Sequence, residues 1–380
     1  MSVQAIEAAL HAAQTSGGAP GFVAAARLPD GGGYQGAFGH RGVADPAPMS
    51  DDTLFWIASM TKALTSVGAL QLVEHGALSL DQDAAAFIPA INEVPILEGF
   101  DPDGAPRLRA ARRPVTVRHL LTHTSGFGYV FMSPELARYA ERTGADFTTP
   151  MAIPRLFEAG ERWLYGISTD LVGQVVEAVS GQTLDVYLKA QVFDPLGMAD
   201  TTFTLSPEQA ARAAAMHARL PDGSLAPIEF PLPPAPNPGM GGGGLYSTAR
   251  DYLAFLKALL DGGVGAHGRI LRPETVALML ANHVRDLDCG DLVSSSPAMT
   301  NDFKPLPGVA KRWGLGFLLN QTDGPDGRRA GAGAWAGLSN CYYWLDPAAG
   351  AAGVILSQIL PFADPACLDI AAAFERAVYA

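Results

Sequence analysis

The sequence predicts an α+β fold: one antiparallel sheet flanked by helices, with strands from both ends of the chain and a mainly helical domain inserted between them. Three observations lead there. Short β-type runs lie early, at Gly21 to Arg27 and Tyr34 to Gly39, joined by the turn Pro29-Asp30-Gly31-Gly32-Gly33. Runs of the same kind return only late, at Trp313 to Leu319, Asn340 to Leu345 and Gly353 to Gln358. Between them the pattern is helical, broken by proline-rich loops. Residues 1–80 and 240–380 are therefore assigned to the sheet-bearing domain and 81–239 to the insertion, with the active site at their interface.

In chain order, Val3, Ile6, Leu10 and Ala13 mark an amphipathic N-terminal helix. Asp51 to Trp56 leads into a helix running to His75, with apolar residues at Leu64, Val67, Leu70, Leu72 and Val73. Further helices are expected at Thr116 to Leu121, Pro134 to Arg142, Thr169 to Val179, Leu184 to Val192 and Pro207 to Ala218. The proline-rich stretch Leu220 to Gly239 reads as extended coil over the surface, and Cys289 to Pro307 as a long loop near the pocket mouth. A turn is expected at Asp346 to Gly350, and a final helix over Pro365 to Tyr379, with Leu368, Ile370, Phe374 and Val378 on its apolar face.

Composition narrows the function. Of the 380 residues 48% are hydrophobic and 17% charged, enough for a large buried core. A formal charge of −12 argues against nucleic acid and anionic membrane surfaces as partners. Cys289, Cys341 and Cys367 are odd in number and lie in no C-x-x-C pattern, so they read as free thiols in a reducing compartment. The first residues lack the basic and apolar regions of a signal peptide, and no segment approaches the roughly 20 apolar residues of a membrane span. A cytoplasmic protein without membrane insertion is the expectation. The scattered histidines have no ligand spacing, so neither metal nor organic cofactor is expected.

Chemistry is concentrated at Ser59-Met60-Thr61-Lys62. Residues three apart share a helix face, so the Ser59 hydroxyl and Lys62 amine can meet over one pocket. A lysine takes a serine proton at neutral pH only when its surroundings disfavour its charged form. The opening turn of a helix also favours developing negative charge. Tyr165, just before a helix, is placed to relay a proton to a leaving group. The small residues of Gly333-Ala334-Trp335-Ala336-Gly337-Leu338 allow a strand edge to approach a substrate, so that a backbone N–H points at an oxyanion. Each element also has a structural reading: a helix cap with a solvated lysine, a half-buried tyrosine, a glycine-softened edge strand.

Together these elements resemble the serine β-lactamase and penicillin-binding-protein superfamily, specifically family VIII carboxylesterases and class C β-lactamase-like proteins. Ser59 to Lys62 is similar to its S-x-x-K motif, Tyr165 to the tyrosine of its Y-x-[NS] motif, and Trp335-Ala336-Gly337 to its K-T-G element. Leu120 to Gly126 and Gly241 to Thr248 are similar to two further hallmarks, and the likeness covers essentially the whole chain. It implies a β-lactamase/transpeptidase-like fold and an acyl-enzyme on Ser59. Lys62 or Tyr165 would serve as base, the other as proton relay, with the backbone N–H groups of Ser59 and Leu338 as oxyanion hole. Trp335, Ala336, Gly337, Tyr129 and Ile167 would line the substrate pocket.

The departures carry information about substrate. Trp335 stands where many β-lactamases have a cation for the lactam carboxylate, and Ile167 where an amide would grip a peptide-like acyl group. Both favour hydrolysis of short-chain, neutral carboxylic esters, with weak β-lactam turnover still open. Acyl transfer to an alcohol, amide hydrolysis and a catalytically silent binding module are the alternatives. The chain contains no G-x-S-x-G, and Gly241 to Gly244 is not followed by Gly-Lys-Ser/Thr, so an α/β-hydrolase elbow and a phosphate loop are not expected. His123 and Ser125 read as structural residues, and the oligomeric state is open.

Overall fold

The computed structural model describes residues 3–146, 149, 151–231 and 240–380. The main sheet has seven strands: β1 (Gly21–Arg27), β2 (Gly33–Gly39), β3 (Lys311–Trp313), β4 (Leu318–Asn320), β5 (Gly333–Gly337), β6 (Cys341–Asp346) and β7 (Ala351–Leu356). Their order is β2-β1-β7-β6-β5-β4-β3 and every pairing is antiparallel. The two ends of the chain meet where β1 pairs with β7, Val23 opposite Leu356. Both sheet faces are covered, so β1 is buried along nearly its whole length instead of alternating with polar residues. Phe22, Ala24 and Ala26 face a layer made by α1 (Val3–Thr15) and the last helix, Pro365–Tyr379, while Val23 and Ala25 face the main core.

In that core lies α2 (Thr61–Glu74), whose residues from Thr61 to Leu72 are all buried. It is buried on every side, with α5 (Ser168–Ser180) packed against it and its apolar residues set in the main core. Before α5 come α3 (Val117–Leu121), with a Thr116–His119 capping box, and α4 (Pro134–Thr143), capped by Ser133.

Several expectations are corrected. Trp313 to Leu319 is not one strand: Gly316, at φ +103°, turns the chain, Gly314 N–H bonds Phe317 O, and Trp313 pairs with Leu318 across the resulting hairpin. Gly333 to Gly337 is itself a strand, and Asn340 at φ +60° turns it into β6. The helix expected over Pro207 to Ala218 is a single turn, Pro207–Ala210; His217–Arg219 then pairs with Leu225–Pro227 and with Ile359–Leu360. The coil expected over Leu220 to Gly239 thus starts as a hairpin, and residues 232–239 lie outside the described residues. Residues 81–239, expected to be mainly helical, also contain the hairpin Ile96–Phe100/Pro106–Arg109. Among the described residues no helix is long and apolar enough to cross a membrane.

Candidate active site

Ser59 sits on a sharp elbow. Phe55–Trp56 pairs with Tyr246–Ser247, Ala58 then adopts φ +44°, and a 3-10 turn over Ala58–Met60 feeds α2. A left-handed alanine costs on the order of 1–3 kcal/mol, and its neighbours must hold it. Here Ile57 N–H bonds Leu245 O (2.9 Å), Trp56 Nε1–H bonds Gly243 O (2.7 Å), and Thr61 Oγ1 joins Ala58 O to the Leu245 N–H.

In the first turn of α2, Lys62 is 1% exposed. Its ammonium donates to Ser59 Oγ (3.2 Å), the Tyr129 hydroxyl (3.1 Å) and Gly242 O (2.6 Å). Three acceptors match the three N–H bonds of a protonated lysine.

Tyr165 is buried beside them but is oriented differently from expectation. Its hydroxyl accepts the Trp335 indole N–H (2.9 Å), and its ring, rather than its hydroxyl, faces Lys62 Nζ at 4.8 Å. The tyrosine hydroxyl on Lys62 belongs to Tyr129, which the sequence placed only in the pocket wall. Two glycines bring the tyrosines together, their ring centroids 5.6 Å apart. A side chain at Gly166 would overlap the backbone of Phe127 and Gly128, and one at Gly128 would meet Leu136 and Leu164. The same crossing is tied by Ser125 Oγ to Ser168 Oγ at 2.7 Å, which gives Ser125 its structural role. His123, at φ +55° and fully buried, packs against Tyr165 and Trp313. Burial, with the Lys62 charge, holds its imidazole well below the ordinary value and therefore neutral.

Sequence reasoning missed Asp170. In the first turn of α5 its carboxylate accepts the Gly242 N–H at 2.8 Å and the Tyr129 hydroxyl at 3.3 Å. Gly242 thus bonds Asp170 through its N–H and Lys62 through its carbonyl. A Cβ there would lie 2.6 Å from Asp170 Oδ2, which explains one member of the glycine run. The available signal was a lone carboxylate on an otherwise buried apolar helix, Ser168–Val176.

Ser59 opens into a cavity of about 400 Å³. Trp335, Ala336, Gly337, Leu338, Tyr129 and Ile167 all line it. β4 pairs with β5 only at Ala334 and Gly333, so the Trp335–Gly337 edge faces the cavity without a strand beside it. The opposite wall is apolar, with Phe131, Met151, Phe230, Met240 and Met299, and Leu292 and Met299 come from the long 289–307 loop. Among the described lining residues none is Arg, Lys or His. Among the described residues no group of three or more His, Cys, Asp or Glu is placed to hold a metal.

An antiparallel sheet flanked by helices, with a serine and a lysine at the start of a buried helix beneath a strand edge, is the β-lactamase/transpeptidase-like arrangement of serine acyl-transfer enzymes. The Beta-lactamase family model matches residues 4–378, and the chain belongs to that family. It is 35% identical to monacolin J acid methylbutanoyltransferase of Aspergillus terreus, across 99% of this chain and 95% of that protein. It is 30% identical to the lovastatin esterase of Penicillium rubens, over 91% of this chain and 90% of that one. Unliganded simvastatin synthase from Aspergillus terreus superposes with a TM-score of 0.83 at 34% identity, covering 99% and 98% of the two chains. The protein is an enzyme of the serine hydrolase and acyltransferase superfamily.

Proposed function

We propose that this enzyme transfers a short acyl group from an activated ester or thioester to the hydroxyl of a bulky, largely apolar alcohol, through an acyl-enzyme on Ser59. Of the readings open from sequence, hydrolysis of short esters came first and transfer second. The relatives named as acyltransferases favour reversing that order, with hydrolysis as the competing reaction. The observation that carries this reading is the cavity. Its volume falls in the range of about 300–1,000 Å³ that buries a drug-sized molecule. That is far more than a short acyl chain needs, and the excess is lined with Phe, Met and Trp side chains suited to an apolar acceptor.

Ser59 Oγ attacks the acyl carbonyl as Lys62 Nζ, acting as the neutral amine, takes its proton. The oxyanion forms between the Ser59 elbow and the Leu338 end of β5, where each backbone donor is worth ~3 kcal/mol in the barrier. Lys62 returns the proton to the leaving oxygen or sulfur. The acceptor hydroxyl then follows the same path in reverse, releasing the new ester and restoring Ser59. The apolar walls limit the water that could compete. Tyr165 is assigned a positioning role, holding Trp335 and covering Lys62. The test is product analysis with p-nitrophenyl butanoate and a panel of alcohols. New ester formed in preference to butanoate supports transfer; butanoate alone, whatever alcohol is added, supports the esterase.

A further inference from the structure

If Lys62 rests as an ammonium with all three N–H bonds committed, something must remove one of its protons before it can act as a base. Among the described lining residues the cavity offers no histidine for this. His123, the histidine nearest in charge interaction with Lys62, is shut in the core among Tyr165, Trp163 and Trp313. A continuous hydrogen-bonded route does lead away from Lys62: its Nζ reaches the Tyr129 hydroxyl at 3.1 Å, which reaches Asp170 Oδ2 at 3.3 Å.

We propose that Asp170 is the proton store that makes Lys62 a base, the two exchanging one proton through the Tyr129 hydroxyl. The Lys62 ammonium gives a proton to Tyr129 Oη as Tyr129 gives its own to Asp170 Oδ2. The products are a neutral amine, an intact phenol and a neutral carboxylic acid, so no charge is created and no solvent proton is needed. The amine lone pair is left on the Tyr129 side, and rotation about the Cε–Nζ bond turns it to Ser59 Oγ while the two remaining N–H bonds take the Gly242 O and Tyr129 Oη directions. Among the described residues, the groups that face this pair come from five segments. α2 contributes Lys62, the 127–131 segment Tyr129, the turn before α5 Tyr165, the segment after α3 His123, and the glycine run only its backbone.

Two further features suit Asp170 to the task. It is 7% exposed, and burial raises its carboxyl above the ordinary range against the opposing pull of Lys62, the Gly242 N–H and the Tyr129 hydroxyl. Its two oxygens are also divided in function: Oδ1 is fixed by the Gly242 N–H, leaving Oδ2 to accept and return the proton. Burial first, then the charge of Asp170, pushes the Tyr129 phenol well above its ordinary value, so it conducts a proton without resting as phenolate.

The proposal rests on the acyl-enzyme reading of Ser59, and the experiment separates the two. Acylation is followed as the burst of p-nitrophenol from p-nitrophenyl butanoate between pH 6 and 9, with intact mass confirming the adduct. A pair that shares one proton internally gives the wild type a flat acylation profile across that range. In Asp170→Asn, Lys62 must release its proton to solvent. The profile then gains a rising limb of one proton, with a loss of roughly 100-fold at pH 6 that recovers toward pH 9. KM and melting temperature stay close to wild type. Tyr129→Phe breaks the route while leaving Asp170 on Gly242, so it shows the same limb, and the double variant is no slower than the slower single. Should Asp170→Asn fail to fold, Tyr129→Phe still decides. Flat, unslowed profiles in either folded variant, or a wild-type rising limb that they do not move, overturn the proposal and leave the Ser59 reading intact. A wild type that forms no adduct with any ester overturns both.

Discussion

The Tyr165 hydroxyl and the Trp335 indole are joined by a 2.9 Å hydrogen bond, their rings 4.8 Å apart, so that the tyrosine of one sequence motif is held by the tryptophan of another. The tryptophan therefore occupies the hydroxyl that the sequence reading expected to carry a proton. If positioning is the role of Tyr165, then Tyr165→Phe and Trp335→Phe each lower kcat/KM by about 5- to 10-fold, near 1 kcal/mol for one buried hydrogen bond. The double variant loses little more, because the two share one interaction. A loss of 100-fold or more in Tyr165→Phe alone would make it the proton carrier instead.

Gly337 is required by the elbow beneath it. A Cβ there would overlap the Ile57 carbonyl oxygen, two residues before Ser59. Gly337→Ala is expected to push the strand edge off the elbow and separate the Ser59 and Leu338 N–H groups. The predicted cost is roughly 100-fold in kcat, the scale of one lost oxyanion donor, with KM changed much less. Steady-state kinetics on an ester substrate checks it, and a fall confined to KM would place the oxyanion site elsewhere.

The crossing of the two tyrosine segments is a stability prediction. Gly166 approaches the Phe127–Gly128 backbone too closely for any side chain. Gly166→Ala should lower stability by about 1–3 kcal/mol, as overpacking does, and slow acylation by displacing Tyr129 from Lys62. Denaturant unfolding together with burst kinetics reads both. A fully active, equally stable variant would show that the crossing does not hold the site.

Acid stability has an identifiable contributor in Glu158. Burial opposes its ionisation, but the Arg109 side chain and the N–H groups of Arg112 and Arg113 outweigh that and hold its carboxyl from 4.5 down to about 2. Because the folded value is the lower one, the stabilisation is complete above the unfolded value and disappears as pH falls through the folded one. Glu158→Gln should therefore melt below wild type at pH 7 and converge with it near pH 2, in thermal scans across that range. A gap that persists at pH 2 would assign the loss to packing.

Much of this was legible in the sequence where local pattern and position suffice. The S-x-x-K spacing puts Ser59 and Lys62 on one helix face, and they meet at 3.2 Å. The final helix is capped by Asp364 and runs from Pro365 to Tyr379 as its periodicity predicts. The β-lactamase-like fold followed from several motifs in order. What was not legible depends on distant backbone. Trp313 to Leu319 reads as one strand until Gly316 takes a conformation that only the hairpin reveals. Tyr129 lies 67 residues from Lys62 and Asp170 lies 72 from Gly242, and neither spacing has a local signature. Asp170 was further hidden by its apolar neighbours, Leu171 and Val172, which declare a core helix.

The most direct test of the central claim is the intact mass of wild type and Ser59→Ala after brief exposure to a butanoyl thioester, with and without a bulky apolar alcohol. The predicted result is one added butanoyl group on the wild type and none on Ser59→Ala, with the adduct discharged faster by the alcohol and the butanoate ester appearing in step. An adduct that forms equally on Ser59→Ala, or one that only water discharges, would contradict acyl transfer through Ser59.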